Sequence, residues 1–295
     1  MRITGAAHLA PHLLYSQRYL TQAKIRRSSF PATARMELFS PTEFAKDKVL
    51  AVQEYALLSW HSLTNLFKQP RYLADMLQQA DLIGVGSLPI VILTGFFTGA
   101  VLALQSANSL TRFGALSFTG QLVSLSMVRE LGPVLTGLMV AGRNASGMAS
   151  ELGSMKVTEQ IDAMRALGTD PEKKLVTPRV ISTMVMLFFL TIISDLVGLT
   201  GGSMVAVLLL RLDSNEYWNY AWRSLAMGDI FQGLAKPVFF GFIIATVGCY
   251  YGLSARGGTQ GVGRATTQAV VAASVLILVV DFFLTRLLMV IVPVR

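Results

Sequence analysis

The sequence predicts an all-α integral membrane protein. An amphipathic interfacial helix comes first, followed by five transmembrane helices, with a short cytoplasmic helix between spans two and three. Three observations carry this. Of 295 residues, 53% are hydrophobic and only 14% charged, against about 25% charged in soluble domains. Mean hydropathy is +0.54. Five apolar stretches reach the roughly 20 residues that a hydrocarbon core demands. A soluble enzyme and a disordered chain are both excluded. One cysteine (Cys249) gives no disulfide framework, and with three histidines it gives no metal-ligand spacing.

Residues 1–36 hold six basic residues and no acid, without the apolar core of a secretory signal. They read as a basic, disordered extension; a transit peptide and readthrough ahead of Met36 share this composition. The pattern changes over 43–70. Val49, Val52, Ala56, Trp60, Leu63 and Phe67 recur at helical steps between Lys46, Lys48, Lys68 and Arg71. That suits a helix lying in the headgroup layer; a soluble helix packed on the membrane domain is the alternative.

The membrane domain is read as 78–294, with spans at 82–107, 113–150, 176–211, 230–255 and 265–293. The third stretch is too short for two spans and a turn, so it is one long helix. Gly95 and Gly99 in the first span, and Gly142, Ser146 and Ser150 beside Ala141, Ala145 and Ala149 in the second, form small-residue rows that let helices approach closely. Five is odd, so the termini lie on opposite sides. The segment before span one holds ten of the 25 basic residues and the 143–179 connection six, while 108–112 holds one and 211–229 two. This bias places the N-terminus and 143–179 in the cytoplasm and Arg295 outside.

Within 143–179, five acids balance five bases between Glu151 and Arg179, unlike a lipid-binding basic segment. Val157, Ile161 and Met164 line one helical face with Leu167 beside them. Thr158 is the expected N-cap and Gly168 the expected stop. A neutral amphipathic helix of this kind suits a groove on a partner, or folds back on its own membrane domain. The run Gly258 to Gly263 lacks the lysine and hydroxyl of a P-loop, since Arg264 and Ala265 stand there. It reads as a flexible turn. If ATP powers this protein, another chain binds it.

Glu130, Asp195 and Asp281 lie inside spans, where a carboxylate faces a partner or a cavity. For Asp195 a helix-packing hydrogen bond is expected. Lys236 lies about 9 Å and Asp281 about 16 Å below the same outer surface. Lysine reaches several Å toward water, and spans joined by a short loop pack together. A structural ion pair between them is therefore expected, with Arg286 the competing partner.

The motifs Arg129-Glu-Leu-Gly-Pro133, Ala141-Gly-Arg143, Glu151 to Gln160, Leu167-Gly-Thr-Asp-Pro171 and Thr177-Pro-Arg179 follow one another in order. Together they resemble the MlaE (YrbE) family of ABC-transporter permeases, over residues 45 to 290. The resemblance implies a homodimeric permease with two ATPase subunits and MCE-domain lipid carriers, moving phospholipid between membranes and supporting outer-membrane lipid asymmetry. ATP and Mg would belong to the partner ATPase, with no cofactor in this chain and no nucleic acid. It implies a coupling helix at 156–168 seated in the ATPase, through Glu151, Val157, Glu159, Gln160, Ile161, Met164 and Leu167. It also implies a lipid cavity containing Glu130 with Leu102, Leu110 and Phe113. The implied location is the bacterial inner membrane, with a plastid inner envelope as the minor alternative. Two other classes compete. An ion-coupled transporter would use the three acids as a proton relay, and a lipid head-group enzyme would need acids clustered on one helical face.

Overall fold

The structure, a computed structural model, describes residues 41–65 and 72–291, the side chains of 41–48 excepted. The expected extension 1–36, residues 66–70 of the expected interfacial helix and residues 292–293 of the last span lie outside the described residues. Every element among the described residues is helical.

The order is α1 (Pro41–Asn65), α2 (Leu73–Thr111), α3 (Leu116–Val157), α4 (Gln160–Ala166), α5 (Glu172–Leu208), α6 (Ser214–Arg223), α7 (Met227–Leu253) and α8 (Gly258–Ile291). Among the described residues, helices α2, α3, α5, α7 and α8 are long and apolar enough to cross a membrane, five in all. Their helical ends run past the apolar stretches, because a helix does not stop where the hydrocarbon does. Of the described residues, 41–52 fall in one unit and those from Gln53 in a second, which holds all five spans.

Glycine sets the closest helix approaches. On α2, a Cβ at Gly99 would stand 1.9 Å from the Gly198 carbonyl oxygen of α5, and one at Gly95 2.9 Å from that of Ser194. The small rows of α3 divide in two. Ala141, Ala145 and Ala149 are fully buried, with Ala145 and Ala149 against Gly248 and Gly252 of α7. Gly142 and Ser150 are exposed, and a Cβ at Gly142 would meet nothing within 4 Å. Helix α8 closes the bundle with a seam at Ala265, Ala269, Ala273 and Ile277, each four residues on, as one helical face requires.

Helix α1 has two apolar faces. Leu58 is buried in one cluster with Ile83 of α2, Leu152 of α3 and Ile161 of α4, and Tyr55 Oη lies 3.0 Å from Thr246 Oγ1 of α7. The face read from periodicity, with Val49, Val52, Ala56, Trp60 and Leu63, is exposed.

Three expectations are corrected. The helix expected over 156–168 is shorter, Gln160–Ala166, because Thr158 ends α3 by donating its hydroxyl to the Ser154 carbonyl at 2.9 Å. Glu159 then makes the corner at φ 60°, and Gly168 ends the helix at φ 76°. Gly258 to Gly263, read as a turn, is the start of α8; the turn itself is made by Gly257 and Gly258, both at positive φ. The 211–229 connection, read as a loop, contains α6, capped by Asp213 accepting from the Asn215 N–H at 2.6 Å. Its signal was present: an N-cap, then Tyr217 and Ala221 one turn apart on the buried face. Asp195 Oδ1 is buried and accepts no hydrogen bond from the described residues.

Candidate functional site

Helix α3 is interrupted by two π-helical turns, Met127–Leu131 and Ala141–Ala145. A π-turn inserts one residue, rotates the faces beyond it and weakens the local i→i−4 ladder. The first carries Arg129 and Glu130. Facing it, Gly233 of α7 leaves room for the Val128 carbonyl, which would stand 1.9 Å from a Cβ there. One turn on, Lys236 extends its Nζ into the same turn and donates to the Arg129 carbonyl at 3.0 Å.

Lys236 is 1% exposed and joins three spans. Its Nζ lies 2.5 Å from Glu130 Oε2 of α3 and 3.1 Å from Asp281 Oδ1 of α8. The pair with Asp281, read from depth, is therefore present, as a charge contact without hydrogen-bond alignment at that oxygen. Thr285, one turn past Asp281, donates to Glu130 Oε1 at 3.2 Å. Arg286 is exposed and turned away. Reading the acids as scattered over separate spans missed this convergence of Glu130 and Asp281 on one amine.

Arg129 points elsewhere, as helix neighbours do. Its Nε donates to Asp229 Oδ1 at 2.8 Å, with Nη2 at 2.7 Å from the same oxygen. Asp229 is 1% exposed, and its Oδ2 accepts the Ala226 N–H at 2.9 Å at the start of α7. This carboxylate both caps a helix and neutralises an arginine. Sequence reasoning missed the pair because Asp229 stood one residue outside the span read at 230–255.

The cluster is polar on one side and apolar on the other. Glu130 keeps 40% of its side chain exposed while its lysine partner is sealed. Leu131 borders a groove of about 330 Å³ lined also by Phe97, Thr98, Val101, Leu102 and Gln105 of α2. Leu102 thus shares this groove with Leu131, the last residue of the π-turn that carries Glu130. Leu110 and Phe113 do not line this groove; they sit at the end of α2 and in the turn after it, Phe113 82% exposed.

At the other end of α3, the residues implied to couple to an ATPase separate into two kinds. Glu159, Gln160 and Val157 are exposed, and Leu167 is 83% exposed. Ile161 is fully buried in this chain's own core with Met164 packed against the same cluster. That is a correction: the apolar stripe of α4 faces inward, and Ile161 is closed to a partner. Glu151 pairs with Arg179 of α5 at 2.7 Å, fixing the base of α3 to α5. Asp162 lies 3.1 Å from both Lys156 and Arg165; the hydrogen bond from Lys156 foremost, and the charge of Arg165, hold its carboxyl below the usual carboxylate range. His61 of α1 lies 3.2 Å from Glu172. Among the described residues no group of three His, Cys, Asp or Glu could hold a metal ion.

Five apolar helices around a partly open charged cluster, with an exposed polar corner outside the spans, define the membrane subunit of a transporter. The family described as Permease MlaE matches residues 76–287, and the chain belongs to that family of ABC-transporter permeases. A probable ABC transporter permease protein of Rickettsia typhi is 45% identical over 79% of this chain and 90% of its own length. The intermembrane phospholipid transport system permease protein MlaE of Haemophilus influenzae is 37% identical over 72% of this chain and 82% of its own. The chloroplastic protein TRIGALACTOSYLDIACYLGLYCEROL 1 of Arabidopsis thaliana is 38% identical over 72% of this chain and 60% of its own.

Proposed function

We propose that this permease moves phospholipid between membranes, powered by ATP and Mg bound in a separate ATPase subunit. The carrying observation is Glu130: a half-open carboxylate inside a span, held by a buried lysine, next to an apolar groove at Leu131 and Leu102. A polar site beside an apolar groove matches a molecule with a polar head and acyl chains. The name of the Haemophilus relative supports the same substrate. A second copy of the chain, facing this one, would bring Leu110 and Phe113 to the cavity, and an MCE-domain carrier would receive or deliver the lipid. The ATPase docks on the exposed corner at Val157, Glu159, Gln160 and Leu167. The location that fits is a bacterial inner membrane, N-terminus inside.

The test is lipid exchange by the assembled transporter in vesicles, comparing wild type with Glu130→Ala. The variant is expected to assemble and to lose transport. Wild-type transport by a well-folded Glu130→Ala protein would overturn the reading.

A further inference from the structure

Asp195 of α5 belongs to neither the Glu130 cluster nor the exposed corner. It is 6% exposed, its Oδ1 is buried without a hydrogen-bond partner, and no ion pair among the described residues includes it. Yet its place is closely defined. A Cβ at Gly132 would fall 1.7 Å from Asp195 Oδ1 and 3.0 Å from the Met127 carbonyl oxygen. The carboxyl therefore fills the space that Gly132 leaves, beside a carbonyl of the π-turn. One turn along α5, a Cβ at Gly198 would fall 2.3 Å from Met127 Cε. This face of α5 is pressed against the same turn that Gly233 and Lys236 of α7 hold from another side.

A charged carboxylate oxygen beside a carbonyl oxygen, away from water, is repelled, whereas a carboxylic acid has a proton to donate. The charged groups around the turn are Arg129 and Glu130 from α3, Asp229 and Lys236 from α7 and Asp281 from α8. Each is paired within the cluster and none with Asp195. We propose that Asp195 is a positioning residue for the Glu130 site: as an uncharged acid it donates a hydrogen bond into the π-turn, bracing from α5 what Lys236 braces from α7. Arg129 and Glu130 are thereby kept facing α7 and α8. The inference rests on the lipid-site reading of Glu130.

The experiment uses the complex of permease and ATPase solubilised in detergent from membranes of phosphatidylethanolamine and phosphatidylglycerol. Phospholipid retained per permease after purification is measured for Asp195→Asn, Asp195→Leu, Glu130→Ala and the Asp195→Leu/Glu130→Ala double variant. The amide can donate the same hydrogen bond, so Asp195→Asn is expected to retain wild-type lipid. Leucine cannot, and a loss of about tenfold is expected. The double variant is expected to fall no lower than Glu130→Ala, because Asp195 acts through Glu130. An infrared difference spectrum of wild type minus Asp195→Asn should contain a protonated-carboxyl carbonyl band, and this arm stands even if Asp195→Leu fails to insert. Absence of that band, or equal loss in Asp195→Asn and Asp195→Leu, overturns the proposal. Normal lipid in Asp195→Leu, with loss in Glu130→Ala, overturns the positioning role alone. Wild-type lipid in Glu130→Ala overturns the site reading, and the positioning role with it.

Discussion

Lys236 balances charge for three spans, and its burial makes the balance testable. Removing one member of a buried ion pair costs about 3–5 kcal/mol, because the other charge is left unsolvated. Lys236→Met strands two carboxylates and the Arg129 carbonyl, so it should be the most destabilising single change in the cluster. Asp281→Leu leaves Lys236 its bond to Glu130 and should cost less. In Lys236→Met/Asp281→Leu the remaining acid is Glu130, whose side chain is 40% exposed and can reach water. The double variant should therefore recover a large part of the Lys236→Met loss. Thermal unfolding in detergent of the two single variants and the double variant checks this; additive losses would show no coupling. The Lys236–Asp281 half of this cluster was legible because depth along two antiparallel spans fixes height. The Glu130 half was not. A π-turn rotates the helix face, and nothing in the local sequence announces where one falls.

At the scale of elements, α4 shows what periodicity can and cannot say. Spacing identified an apolar stripe correctly, but a stripe does not name what covers it. Here the cover is the chain's own core, formed with Leu152, Leu175 and Val176. Two substitutions separate the faces. Ile161→Ala should lower the permease's own stability by about 2–5 kcal/mol, the usual range for such a core truncation. Leu167→Asp should leave the melting temperature unchanged and weaken co-purification of the ATPase. The reverse pattern would place the partner on the buried face. A second contrast concerns glycine. Gly99→Ala puts a methyl onto the Gly198 carbonyl of α5 and should separate α2 from α5, lowering yield and melting temperature. Gly142→Ala meets open space and should be neutral, or slightly stabilising through helix propensity. Equal effects at both sites would contradict the packing described. The small-residue motif was legible at both places; which glycine is covered was not, because identical spacing serves packed and open faces.

At the scale of the whole molecule, five spans and an uneven distribution of charge carry the proposed orientation. The α3 and α5 helices comprise 42 and 37 residues, about 63 and 55 Å at 1.5 Å per residue, against a hydrocarbon core of about 30 Å. Both must project well beyond it, and the end they share carries α4 and the basic residues Lys156, Arg165, Lys173, Lys174 and Arg179. The opposite end carries Arg112, Arg211 and Arg223, together with α6, whose Trp218 and Trp222 rings stack at 6.1 Å. Tryptophan favours the headgroup boundary at either surface, whereas lysine and arginine in short loops favour the cytoplasmic one. The proposed orientation, α4 in the cytoplasm and α6 outside, therefore rests on the charge bias. The only cysteine, Cys249, is fully buried and should stay silent to a membrane-impermeant thiol reagent. Leu167→Cys is expected to react only after the membrane is opened, and Asn219→Cys in intact cells or right-side-out vesicles. If Leu167→Cys reacted first, the permease would lie the other way round. The exposed corner at Leu167 could then not receive a cytoplasmic ATPase, so this measurement bears on the docking proposal as directly as on topology.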